Sequence, residues 1–203
     1  MHVELLVEEP SCAEAIRILV PKIIGNQSSF DTRVFQGKQD LLASLPARLR
    51  GYARWLPSDW RIVVLIDRDG DDCHTLKSSL ETMAKDAGLR TPTATHGTGA
   101  VKVVNRIAVE ELEAWFFGDV EALAAAYPRI PPTLGAKRGF RDPDAISGGT
   151  WERLHRLLAA AGYYRGGMPK IEVARKISRV MDPARNRSRS FQVFCRALRE
   201  LVA

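Results

Sequence analysis

Four of the six residues from Asp67 to Asp72 are acidic, and they follow directly on the apolar run Ile62-Val63-Val64-Leu65-Ile66. Asp67 and Asp69 are two apart, so in an extended segment their carboxylates point the same way. Two carboxylates aimed into one space repel each other unless a proton or a cation sits between them. Mg²⁺ meets that need, because it takes oxygen ligands and usually only one or two protein carboxylates. On these residues alone, the alternative is a solvated acidic turn.

Two other readings of the string fail. An EF-hand loop needs glycine at its sixth position and glutamate at its twelfth. Counted from Asp67, those positions hold Asp72 and Ser78. A haloacid-dehalogenase-type phosphatase also uses Asp-x-Asp-Gly, but normally on the first strand of its domain, and here the motif follows the third.

The elements that must position these acids are legible in the pattern. His2 to Val7 reads as a strand, followed at once by Glu8-Glu9-Pro10-Ser11. Ser11 with Glu14 suggests a capping box for a helix over 12–24. A strand over 31–35 and a helix over 38–55 come next, then the central strand and a helix over 73–87. Segments 91–95 and 101–109 read as strands four and five, separated by His96-Gly97-Thr98-Gly99. That Gly-Thr-Gly lacks the further glycine and helix of a dinucleotide fingerprint. A single helix is expected over 110–127, with Trp115, Phe116 and Phe117 assigned to the core. A Pro/Gly-rich segment over 128–149 follows, in which Asp142-Pro143-Asp144 is a turn. Helices over 150–161, over 169–181 and from Ser190 onward close the chain. Strand and helix alternate through the first 110 residues, the pattern of a parallel sheet with helices on both faces. The expectation is an α/β domain over 1–127 and a mostly helical portion over 128–203 packed on it.

In a parallel sheet every strand ends on the same side, so Glu8 and the pair Asp67 and Asp69 can converge at one edge. The net charge of +6 and a pI near 9.5 point to a polyanionic partner such as nucleic acid. Arg138 lies in the loop segment, and Arg185, Arg187 and Arg189 form an Arg/Ser run suited to phosphate contacts without base readout. Cys12, Cys73 and Cys195 show no Cys-x-x-Cys spacing, which argues against disulfides or structural zinc and for a reducing cytoplasm. The four histidines are equally dispersed, and no apolar run reaches the length of a membrane span.

A glutamate after one strand and an Asp-x-Asp after a neighbour resembles the Toprim domain of topoisomerases, primases, maturation nucleases and OLD-family nucleases. Leu6-Val7-Glu8-Glu9-Pro10-Ser11 is similar to the Leu-Val-Glu-Gly-x-Thr opening of OLD-type domains, with Glu9 replacing the glycine. Ile107 to Trp115 resembles their acidic-aromatic motif, and Lys170-Ile171-Glu172-Val173-Ala174 their late Lys-x-x-x-Ala helix start. The resemblance implies a Toprim-like Rossmannoid sheet and a site of Glu8, Asp67 and Asp69 binding Mg²⁺ or Mn²⁺. Glu111 would be a further ligand, with Glu110 and Glu113 as further ligands, supporting groups or simply acids at a helix start, and Lys170 would neutralise charge on a scissile phosphate of DNA or RNA. Relatives of this type often accompany AAA- or ABC-type ATPases in bacterial defence loci, so such a partner is expected too. Cys12 stands where OLD-type sites commonly carry a second acid, leaving Glu9 or Glu14 to replace it. No motif implies a catalytic tyrosine, which argues against the topoisomerase branch. Two other readings stay open, a partner-dependent regulatory subunit and a receiver-like phosphorylation switch. The switch wants a lysine after the fifth strand, whereas Lys102 stands at the start of one.

Overall fold

β3 (Trp60–Asp67) is buried from Ile62 onward, because its side chains are apolar toward both faces of the sheet. In the computed structural model, which describes residues 1–26, 28–94 and 99–203, it lies between two other strands. β1 (His2–Val7) runs along one side and β4 (Val103–Ala108) along the other. β2 (Ser29–Val34), half-buried and polar, forms the edge beyond β1, giving the order β2-β1-β3-β4. All three pairings are parallel. The fold is therefore α/β, a Rossmannoid parallel sheet flanked by helices with a helical C-terminal portion.

The crossovers reverse direction at the middle of the sheet. From β1 the chain moves out to β2 through α1 (Pro10–Ile24). It then returns across β1 to β3 through α2 (Lys38–Trp55) and continues outward to β4 through α3 (Cys73–Asp86). Side-chain alternation divides the core accordingly. Val3, Leu5, Val7, Val63 and Leu65 pack with α1, while Leu6, Ile62, Val64 and Ile66 pack with α2 and α3. The reversal falls at the C-terminal ends of β1 and β3, the place where open α/β sheets bind ligands.

Several local expectations are corrected. α1 begins at Pro10, not after Ser11, since proline at the first turn needs no N–H partner. Ser11 lies inside the helix and donates its hydroxyl to the Glu9 carboxylate. Thr91 to Ala94 forms a turn, not a strand, because Pro92 removes a donor and the threonine hydroxyls bond locally. Thr91 Oγ1 lies 3.2 Å from Thr93 Oγ1, which in turn donates to Glu81. The remainder of that expected strand and its loop, Thr95 to Thr98, lies outside the described residues.

The expected helix over 110–127 is two short ones, α4 (Glu113–Gly118) and α5 (Val120–Ala126). The break is at Asp119, whose carboxylate accepts from Ala122 N at 3.1 Å and caps α5. A side chain on Gly118 would overlap the Asn186 amide, which donates to Trp115 O at 2.7 Å. After two 3-10 turns, Pro132–Ala136 and Pro143–Ala145, come α6 (Thr150–Ala160), α7 (Lys170–Val180) and α8 (Arg189–Val202). Their apolar faces join the core on the α1 side of the sheet, so residues 128–203 share one hydrophobic cluster with the strands. Trp115, Phe116 and Phe117 lie at its centre. Lys22 Nζ donates to the carbonyls of Ser178, Arg179 and Met181 at 2.7–3.0 Å, placing a cation at the negative end of α7. Among the described residues no helix is long and apolar enough to cross a membrane.

Asp119 ties three segments together, since it also accepts from Asp182 N at 2.8 Å and takes Arg185 in a two-pronged pair at 2.8 and 3.0 Å. The Asp119→Ala change strands these donors, so urea denaturation should show a loss of about 3 kcal/mol. Arg185→Ala, at the exposed end of the pair, should cost less.

Candidate active site

Glu8 and Asp67 end the two central strands side by side. Glu8 Oε2 accepts from the Asp67 amide at 3.3 Å, and both residues are nearly inaccessible. Glu113 enters the same space from the start of α4, only 3% exposed. Glu9, the residue that precedes α1, faces it from the side. Lys170, at the start of α7, meets Glu9 Oε2 at 3.3 Å and rests 4.7 Å above the Trp151 ring. The thiol of Cys12 is buried among these groups, and burial together with the charges of Asp67, Glu9, Glu8 and Glu113 pushes its pKa up.

The electrostatics follow from crowding. Burial first, and then the neighbouring charges of Asp69 and Glu9, push the Glu8 pKa up to about 7, against the opposing hydrogen bond from the Asp67 amide. Asp67 is raised by burial and by the charges of Glu8, Glu113, Glu9 and Asp69. Burial also carries Glu113 up to about 8, although Lys170 pulls the other way. Lys170 is held above its usual value: burial works against its charge, but Glu9 and Glu113 outweigh it. The arrangement holds protons because it lacks enough positive charge to hold carboxylates.

Asp69 departs from the alternation expected of an extended Asp-x-Asp. The strand ends at Asp67, and Asp69 adopts a left-handed conformation (φ 50°) that aspartate tolerates better than most residues. Its carboxylate, about half exposed, pairs with Lys38 Nζ at 3.1 Å. The same ammonium meets Asp71 at 2.7 Å and the carbonyls of Asp67 and Arg68 at 2.8 and 2.7 Å. Lys38 thus clamps the acidic loop, a role that its position at the start of a helix did not announce. Asp72 is used as the N-cap of α3, accepting from Thr75 N at 2.8 Å.

The other expected site residues divide. Glu111 does not face the cluster as a free ligand: its Oε2 accepts from Thr150 Oγ1 at 2.7 Å and Trp151 N at 2.8 Å, capping α6. Glu113, two residues on, holds the buried position instead. Of the three acids Glu110, Glu111 and Glu113 at this helix start, it is the one that abuts the unbroken apolar run Ala114 to Phe117. Glu14 pairs with Arg175 at 2.6 Å and is turned toward α7, so only Glu9 of the two substitutes for the missing acid reaches the cluster. Arg185 is committed to Asp119, with Glu121 3.0 Å away, and Arg187 lies over Gly135. Both stand at the end of α4 opposite to Glu113. Arg138 and Arg189 are exposed.

A divalent cation fits the donor set, which is all carboxylate oxygen and suits Mg²⁺ or Mn²⁺. Glu8 and Asp67 would hold it, with Asp69 and Glu113 within reach of its water shell. No three of these acids bring donor atoms within 4.8 Å of one another among the described residues. That spacing agrees with an ion held by one or two carboxylates and several waters.

A family model described as a domain of unknown function, DUF4276, matches residues 7–199. The chain belongs to the DUF4276 family. The match takes in Glu8, Asp67, Glu113 and Lys170 together, so the whole cluster lies within the family's extent. Neither the curated proteins nor the solved structures returned a match.

A carboxyl whose folded pKa lies above its unfolded value binds more protons in the folded state, so raising the pH withdraws stability. For Glu8 the window runs from its unfolded value of 4.5 to about 7, and for Glu113 to about 8. Thermal melts without divalent ions should fall by roughly 5–10 °C between pH 5 and pH 8. Glu8→Gln should flatten that slope, and excess Mg²⁺ should recover stability at pH 8 far more than at pH 5.

Proposed function

We propose that this DUF4276 protein is a metal-dependent nuclease that cleaves phosphodiesters, with its site at the switch point between β1 and β3. The observation that carries the reading is the set of buried, mutually repelling acids at that switch point with a single lysine reaching into it. Such a cluster is costly to keep without a cation, and it stands where α/β sheets place ligands. The Toprim resemblance of Glu8 and Asp67-x-Asp69 adds the same chemistry.

When bound, Mg²⁺ or Mn²⁺ would supply a hydroxide near neutral pH and offset charge developing on the phosphate. Glu8 and Asp67 would fix the ion between the strand ends. Asp69, held by Lys38, would orient the ion's waters. Glu113, whose pKa burial raises, would take a proton from an attacking water or return one to the leaving oxygen. Lys170, released from Glu9, would contact a non-bridging phosphate oxygen, a contact that strengthens as charge builds. The general excess of basic residues would attract the polyanion, although Arg185 contributes structure and not a free charge.

One observation favours a second reading, a regulatory subunit activated by an ATPase partner. Lys170 is tied to Glu9, and the acids are not drawn together as direct ligands, an arrangement that a partner could convert.

Purified protein with supercoiled plasmid or single-stranded RNA, plus Mg²⁺ or Mn²⁺, tests the proposal. Cleavage should fall by roughly a hundred-fold or more in Asp67→Asn and in Lys170→Ala, and by only a few-fold in Glu111→Gln. Cleavage that survives Asp67→Asn would overturn it. Inertness of the chain alone, relieved by an ATPase, would favour the second reading.

A further inference from the structure

At the opposite edge of the sheet the N-terminal ends of β1 and β2 bring together a second set of donors that the nuclease reading does not use. His2 and Glu4 are two apart on β1 and share a face. Asp31 is the register partner of Glu4 on β2 and shares it too. One donor atom from each of the three lies within 4.8 Å of the other two, the only such group among the described residues. His2 and Glu4 are both more than nine-tenths buried.

The buried atoms are incompletely satisfied in a particular way. Glu4 Oε1 takes Arg33 Nε at 2.7 Å and Tyr52 OH at 2.8 Å, whereas Oε2 has no hydrogen-bond partner. His2 Nδ1 meets Ser29 Oγ at 2.8 Å, and its ring lies tilted against Trp60 with centroids 3.9 Å apart. Its other nitrogen, Nε2, is buried without a hydrogen bond and stands 3.5 Å from Glu4 Oε2. The two atoms face each other without a hydrogen bond, and native structures rarely leave buried polar atoms so.

We propose that His2, Glu4 and Asp31 bind a divalent transition metal of the zinc class. Donors around a tetrahedral Zn²⁺ with ligand distances near 2.0 Å stand about 3.3 Å apart, which the pair His2 Nε2 and Glu4 Oε2 already approaches. In the tautomer that carries its proton on Nδ1, His2 donates to Ser29 Oγ and Nε2 is bare, the usual support for a metal-bound histidine. Asp31 is exposed, and no described hydrogen bond holds its carboxylate, so it can close on the ion. Glu4 would be shared between the ion and Arg33, Asp31 would add a second negative charge, and three protein ligands leave a position for water. Glu4 also lines a cleft with Arg33, Arg48, Tyr52 and Trp55. An imidazole among the ligands selects zinc-class ions, whereas the all-carboxylate cluster at the other edge suits Mg²⁺ or Mn²⁺. The two sites are therefore separable by metal.

Zinc titration of tag-free, metal-stripped protein in excess Mg²⁺, against a competing chromophoric chelator, tests the proposal. Wild type should take up one equivalent of Zn²⁺. His2→Ala and Asp31→Asn should each weaken uptake at least tenfold. Both positions are near the sheet edge, and circular dichroism should show that the variants fold. Asp67→Asn should retain full uptake, which keeps this site distinct from the proposed nuclease centre. Zinc uptake unchanged in His2→Ala and Asp31→Asn, or none in wild type, would overturn the proposal and leave an ordinary His2–Glu4 ion pair.

Discussion

The parallel pairing of β1 with β3 is the constraint on which the rest depends. Because the chain leaves β1 in one direction and β3 in the other, the helices separate to opposite faces. Register then decides what the strand ends present. Val7 stands opposite Leu65, so both strands end at the same level, and the Asp67 amide one residue further along donates to Glu8 Oε2. The same pairing puts His2 beside Trp60 at the other edge, where the imidazole lies against the indole at a tilt of 35°. One strand pair thus presents two groups of ionisable side chains, one at each end.

The C-terminal group is a case in which the fold tolerates a local penalty. Packing Glu8, Asp67 and Glu113 out of water, with Lys170 as the near cation, forces protons onto groups that would shed them in solvent. Substituting neutral residues there should favour the folded chain, which is the usual relation between a strained site and the stability of its scaffold. The surroundings are built to hold this arrangement. Lys38 fixes the acidic loop through two carbonyls and two carboxylates, Glu111 locks the start of α6, and Asp144 accepts from Ser190 N at 2.8 Å to fix the start of α8.

Much of this was legible in the residues. The apolar run before Asp67, the extent of α2 and the three C-terminal helices follow from periodicity, and the approach of Glu8 to Asp67 follows from strand direction alone. What could not be read depended on contacts distant in sequence. The break between α4 and α5 is set by Asn186 against Gly118 and by the segment that bonds Asp119. Arg185 looked like a free cation because its partner lies 66 residues away. Asp69 turned aside because the strand ended two residues earlier than alternation required. Glu111 and Glu113 differ by two positions, and only the packing of α6 shows which is consumed by a cap. His2, Glu4 and Asp31 are ordinary edge residues until the register of β1 on β2 is known.

The central claim is that the acid cluster holds protons in place of a divalent ion and exchanges one for the other. Calorimetric titration of Mn²⁺ at pH 7 in buffers of different ionisation enthalpy reads that exchange directly, because ligands must be deprotonated for the metal to bind. The account requires release of about one proton or more per ion, lost together with the binding in Asp67→Asn. Binding without proton release, or release unchanged in Asp67→Asn, would contradict it.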